Sequence, residues 1–380
     1  MNQPFQIDPA AFAALPPSRP AGRFAPEEYA RRLEAFTEEV GRLGCDGAIL
    51  TSPVSRLYFM GFESTAGTLI VDARKGPVFV VDFRYILMAK KAMPFLRCEL
   101  QNGNLSKIES LTRNWHRAGF EACEPVVSYE RLQRILPWID DWTAVDSLAA
   151  ELRSVKSPAE QKTLRASIAA NDAMFAWIRP QIRPGMTEWD VRSLFRLASD
   201  RFAQGESFET IACAGKNGAE CHHHSDDTVL RDDEPLLMDF GLLYDHYCSD
   251  MTRCLILGKP SDHYRDIYNI VLEANCATRD QLKPGMTGHE VDAIARRIID
   301  KAGYGEDFGH ALGHSVGIEI HEGPNFSPGE DREIKPGMVI TVEPGIYLPD
   351  DLGVRIEDVV LVTETGCECL TRTSRELENP

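Results

Sequence analysis

The sequence predicts an α+β protein of two domains, the second a pseudo-twofold pair of related halves. Three observations lead there. The chain has 380 residues, where one domain commonly takes ~100–200. Strand-like and helix-like stretches alternate down to about residue 150, the pattern of a first α/β domain. Beyond that point the chain echoes itself, with IRPGMTEWDV beginning at Ile182 and LKPGMTGHEV at Leu282.

Taken in order, MNQPFQIDPAAFAALPPSRPAGRF has no basic n-region and reads as a flexible leader, not a signal peptide. Residues 26–45 read as an amphipathic helix, because Tyr29, Leu33, Phe36, Val40 and Leu43 recur at helical spacing. DGAILTS and TLIVDARKGPVFVVDFRY follow as strands, with Gly76-Pro77 as a turn inside the second run. The boundary falls near SLAAELRSVKSPAEQKTL and divides a first domain, 1–152, from a second, 153–380. Ser157-Pro158-Ala159-Glu160 has the form of a helix start, with N-cap serine, proline at N1 and glutamate at N3. It opens a helix over 158–179. Each PGMT unit closes one helix and opens another, with Thr187 or Thr287 as N-cap and Asp190 or Glu290 at N3. A second echo follows, PLLMDFG (235–241) against GMVITVEPG (337–345), so Asp239 and Glu343 each come late in an apolar strand. Two related halves with equivalent carboxylates imply a site at their seam.

Composition excludes some functions. A net charge of −17 argues against nucleic acid and against anionic membranes, which both need a Lys/Arg surface. No stretch approaches the ~20 apolar residues that span a bilayer. The cysteines lack a framework spacing, so reduced thiols in a cytoplasmic protein are expected, with Cys367 and Cys369 as plain strand residues.

The stretch MDFGLLYDHYCSDMTR (238–253) puts Asp239 and Asp250 inside an apolar hairpin. With a two-residue turn at Tyr244-Asp245, the two aspartates oppose each other, Cβ atoms ~4.5–5.5 Å apart. Like charges at ~4 Å repel by about 4 kcal/mol at an effective dielectric near 20. A shared proton or a cation would relieve this. The rest of the chain favours the cation. Every histidine but His116 lies at or beyond residue 222. GHALGHSVGIEIHEGP supplies His310, His314 and His321, VITVEPGIY supplies Glu343, and GVRIEDVVLVT supplies Glu357, with Arg355 two residues earlier on the same strand face. Carboxylates with one imidazole suit Mn²⁺, Co²⁺, Fe²⁺ or Zn²⁺. Five such ligands exceed the needs of one tetrahedral ion, and two ions ~3.5–4 Å apart would hold a bridging hydroxide and polarise a carbonyl. Taken alone, His310 and His314 could be one face of a helix, and His223, His224, His246 and His263 read as surface or loop residues. Asp245 reads as a turn residue.

At these residues the chain resembles the metallopeptidases of the pita-bread fold, the family of aminopeptidase P, prolidase, methionine aminopeptidase and the metal-free creatinases. The resemblance implies a creatinase-like N-terminal domain and a catalytic C-terminal domain. It implies that Asp239, Asp250, His314, Glu343 and Glu357 bind two divalent ions, Mn²⁺ with Co²⁺ or Zn²⁺ as alternatives, bridged by Asp250 and Glu357. Glu343 would also shuttle the proton of the attacking hydroxide. NGAECHHH (217–224) resembles the segment ending in a substrate-side histidine, which gives His222 that role. His321 matches the histidine that bonds the scissile group, His310 one near the residue after the cut, and Arg355 an arginine that orients the bridging carboxylates. Cys221 stands where an apolar residue is expected and could make activity oxidation-sensitive.

The resulting expectation is an Xaa-Pro aminopeptidase acting on peptides with proline at the second position, a homodimer by resemblance. Alternatives are an Xaa-Pro dipeptidase, a methionine aminopeptidase-like enzyme and a non-catalytic peptide-binding module. The dipeptidase ranks second because it needs a cation for the product-end carboxylate, and no residue of the sequence stands out for it.

Overall fold

Two units make up the residues that the computed structural model describes, 22–102 and 106–380 together with Ala13 and Leu15. One is Arg23–Arg153 and the other is built on Ser154–Pro380. The expected leader falls largely outside the described residues.

In the first unit, α1 (Pro26–Arg42) buries Tyr29, Leu33, Phe36 and Val40, as their spacing predicts. It ends at Arg42, so Leu43 becomes its C-cap, 39% exposed, rather than part of the apolar stripe. There follow β1 (Gly47–Leu50), α2 (Pro53–Met60), β2 (Thr68–Asp72), β3 (Gly76–Val81), α3 (Ile86–Ala92), β4 (Arg97–Leu100), α4 (Ser106–Thr112), β5 (Arg117–Phe120), α5 (Val126–Ile135), β6 (Asp141–Ala144) and α6 (Asp146–Ser154). The strands form one mixed sheet in the order β4-β3-β2-β1-β5-β6, cored by residues such as Ile49, Ile70, Val80 and Trp115. The β2–β3 turn falls at 73–75, just before the expected Gly76-Pro77. The Asp72 carboxylate accepts from the amides of Arg74 and Lys75. Gly76, at φ 82°, then pairs with Asp72 as the first residue of β3.

The second unit opens with α7 (Pro158–Ile178), whose Ser157 and Glu160 make the expected capping box. Its first half continues with α8 (Glu188–Phe202), β7 (Ile211–Ala214), β8 (Pro235–Phe240), β9 (Leu243–Tyr244), β10 (Tyr247–Cys248) and β11 (Met251–Ile256). Its second half has α9 (Asp262–Gln281), α10 (Gly288–Lys301), β12 (Gly313–Ser315), β13 (Glu322–Phe326), β14 (Val339–Val342), β15 (Gly345–Leu348), β16 (Leu352–Arg355), β17 (Asp358–Val362) and β18 (Cys367–Cys369). The repeat is physical. Thr187/Asp190 and Thr287/Glu290 both form capping boxes. Gly185 and Gly285 both sit at φ 90°, a conformation that glycine adopts without steric cost. Helices α7 and α8 cover the sheet β11-β8-β7 through Phe175, Phe195 and Phe240. Helices α9 and α10 cover the sheet β13-β12-β14-β17-β18. Every cysteine is free, and Cys367 and Cys369 lie in β18. Among the described residues no helix is long and apolar enough to cross a membrane.

The expected hairpin exists with a different register. Its turn is Asp245-His246, at φ 48° and 67°, with Tyr244 paired to Tyr247. A two-residue hairpin turn of this kind needs positive φ at both central residues, and aspartate and histidine enter that region more readily than a bulky tyrosine. Asp239 therefore faces Thr252, not Asp250. The slip is two residues, so Asp250 stays on the Asp239 face, displaced along the chain instead of opposed.

Candidate active site

Strand ends from both halves deliver the polar side chains. Asp239 lies in β8, Asp250 just before β11, His314 in β12, Glu343 just after β14, and Glu357 between β16 and β17. His314 Nε2 is 3.6 Å from Asp250 Oδ2 and 3.4 Å from Glu343 Oε1. Ligand atoms of Asp250, His314 and Glu357 lie within 4.8 Å of one another. Arg355 ties in Asp239, its Nη2 donating to Oδ2 at 2.7 Å. Arg355 Nε also donates to Thr252 Oγ1 at 3.0 Å, and that hydroxyl donates to Glu357 Oε2 at 2.7 Å. Thr341 Oγ1 likewise donates to Glu343 Oε1 at 3.0 Å.

These donors leave a pattern that calls for a cation. Asp239 Oδ1 and Glu357 Oε1 are buried without a hydrogen-bond partner, a state that costs each group its lost hydration. The Arg355 guanidinium acts on the carboxylates of Asp239, Asp250, Glu343 and Glu357 together. Burial, then repulsion from Glu357, Asp239 and Glu343, raises the Asp250 carboxyl well above the usual range. Burial, then Glu343 and Asp239, does the same to Glu357. Burial pushes Glu343 up to about 7 against the pull of Arg355, and lowers His314, keeping its imidazole neutral as ligation requires. The residues present therefore fit divalent cations of the hard or borderline class.

Around this cluster, His310 Nε2 meets Tyr347 Oη at 2.9 Å, and the same phenol lies 2.8 Å from Arg355 Nη1. Burial, then the Arg355 charge, lowers His310 to about 4. His321 packs edge-on against His314, ring centroids 4.3 Å apart. His222 is exposed, close enough for its charge to act on Glu343, His310 and His321. Thr252, Thr341 and Tyr347 were not singled out by sequence reasoning. The alternation of a strand could have found Thr252, two residues after Asp250 and so on its face.

A second group, Glu188, His223 and Asp226, also brings ligand atoms within 4.8 Å. Here the carboxylate is already satisfied. Glu188 Oε1 accepts from Ala214 N and Asn217 Nδ2, and Oε2 meets Asp226 N and His223 Nε2. His223 lies in a loop, as its sequence context implies, but not on the surface. Its side chain is 10% exposed and held at both ring nitrogens.

Residues 162–364 match the profile of metallopeptidase family M24, and residues 32–155 that of the creatinase/prolidase N-terminal domain. An Xaa-Pro dipeptidase of Pyrococcus furiosus is 35% identical over 352 residues, 91% of this chain and 99% of that one. The structure of an Xaa-Pro dipeptidase from Bacillus anthracis superposes with a TM-score of 0.88 at 35% identity, covering 93% of this chain and 100% of that one. An X-Pro aminopeptidase structure from Thermotoga maritima gives 0.84 at 30% identity, over 90% and 100%. The chain is a metallo-exopeptidase belonging to metallopeptidase family M24, with a pita-bread catalytic domain preceded by a creatinase-like N-terminal domain.

Proposed function

We propose that the protein is a dinuclear-metal Xaa-Pro dipeptidase, which cuts the bond between a first residue and a C-terminal proline. The observation that carries this reading is the name borne by relatives that match almost end to end, from Pyrococcus furiosus and Bacillus anthracis. It reverses the order expected from sequence, where the aminopeptidase came first. The aminopeptidase remains a second reading, favoured by the Thermotoga maritima structure.

Catalysis is assigned to residues 153–380, with 1–152 as the N-terminal domain. Asp239, Asp250, His314, Glu343 and Glu357 would hold two ions, Mn²⁺ before Co²⁺ or Zn²⁺. When bound, such ions supply Lewis acidity and lower the pKa of water. Glu343 takes the proton of the attacking water on its carboxylate. It then passes that proton to the proline nitrogen, which has no N–H until the bond breaks. His321 hydrogen-bonds the scissile group, His222 stands on the substrate side, and His310 lies near the residue after the cut. Arg355 fixes Asp239 through Nη2 and Glu357 through Thr252, and Tyr347 holds His310 against the same guanidinium. A homodimer and a cytoplasmic location complete the reading, the latter in keeping with the free cysteines.

The test is a side-by-side assay of the Mn²⁺-loaded protein on Ala-Pro and Ala-Pro-Ala. A kcat/KM for the dipeptide about ten-fold or more above that for the tripeptide is expected. The reverse preference would return the protein to the aminopeptidase reading.

A further inference from the structure

The segment that carries His222, residues 215–226, is polar and buries only Gly218 and Ser225. Apolar packing therefore does little to hold it. Glu188 does this instead. It is the first residue of α8, and its side chain is fully buried. Ala214 N donates to it at 2.6 Å, Asn217 Nδ2 at 2.9 Å and Asp226 N at 2.9 Å, and His223 Nε2 stands 3.0 Å away. One carboxylate thus gathers the end of β7, the turn after it and both flanks of His222. The other nitrogen of His223, Nδ1, is 2.9 Å from Glu220 Oε2. An imidazole between two carboxylates donates at both nitrogens only as the imidazolium. Burial pulls the His223 pKa down, but the bonds to Glu220 and Glu188 outweigh it and leave the value raised. An ion bound at this group would have to displace backbone amides, so the geometry is that of a latch rather than a cation site.

We propose that His223 is a positioning residue, an imidazolium latched between Glu188 and Glu220 that fixes the 220–226 loop so that His222 meets the peptide. This rests on the substrate role given to His222 above. The histidine run CHHHS then has a division of labour, in which His222 faces the reaction and His223 faces the fold.

The test is a double-mutant cycle on the metal-loaded full chain, with His222→Ala, His223→Ala, the pair together, and His223→Gln as the variant that keeps one donor towards Glu188. The readouts are kcat and KM on the preferred Xaa-Pro substrate, melting temperature, and amide hydrogen exchange over 215–226. His223→Ala is expected to lower kcat/KM roughly ten-fold, with faster exchange confined to that loop and His223→Gln falling in between. In the His222→Ala background, removing His223 should cost almost nothing more. A normal His222 effect with no His223 effect overturns the latch alone, as does a double variant whose loss is the product of the single losses. A His222→Ala variant with wild-type kcat/KM removes the role proposed for His222, and the latch with it.

Discussion

Glu343→Gln is expected to lower kcat by about 10²–10⁴-fold, the range for losing a positioned acid–base group, and to leave a folded protein. The side chain sits where two functions meet. Its Oε1 accepts from Thr341 Oγ1 and lies near His314 Nε2, while its backbone amide is tied to Leu312 O at 2.8 Å. Glutamine has the same shape and still accepts from Thr341, so the strand end and its packing survive. The amide cannot take up a proton at neutral pH, and both halves of the proposed proton transfer stop. Circular dichroism and melting should match the parent while steady-state turnover vanishes. Near-normal turnover would contradict the assignment of Glu343.

The largest stability effect is expected one residue beyond Glu357. Asp358 is fully buried and meets Arg253 at 2.8 Å, Arg279 at 3.5 Å and Arg375 through its other oxygen. Arg253 is itself buried, donates to Glu357 O, and reaches Ser374 O and Thr373 O. Asp358 is thus the counter-charge of a cluster that pins the C-terminal segment and the backbone of a proposed metal ligand. Asp358→Ala removes the anion and leaves Arg253 buried without its counter-charge, with Arg279 and Arg375 only partly reached by water. Breaking such a pair from one side costs about 3–5 kcal/mol, equivalent to a fall in melting temperature on the order of 10 °C for a unit of this size. A fall of only a degree or two would show that water or chain relaxation compensates the arginines.

Much of the fold was legible because local chemistry specifies it. Ser157, Thr187 and Thr287 each announce a helix with an acid three residues on, and each makes its capping box. The PGMT echo is legible because both glycines must take the same φ. The metal-site candidates were legible because Asp239, Asp250, Glu343 and Glu357 are carboxylates in apolar strand contexts that offer no other reason for them. The hairpin register was not. It depends on which two residues accept positive φ, and Asp245-His246 is a weaker signal than Asn-Gly. His223 and Asp358 were missed for a common reason. Their partners, Glu188 and Arg253, lie 35 and 105 residues away in the chain, and no local pattern reports a buried long-range charge pair. Dipeptide or longer peptide was not legible either, since no residue of the sequence stands out as the cation that a dipeptide's carboxylate needs.

The most direct test of the metal site is a titration of chelator-stripped protein with Mn²⁺, reading bound ions per chain and Ala-Pro cleavage together, with Asp250→Asn beside the parent. The expected result is no cleavage by the stripped protein, two ions bound as cleavage returns, and fewer ions held by Asp250→Asn. Full cleavage by stripped protein, or an unchanged ion count in Asp250→Asn, would contradict it.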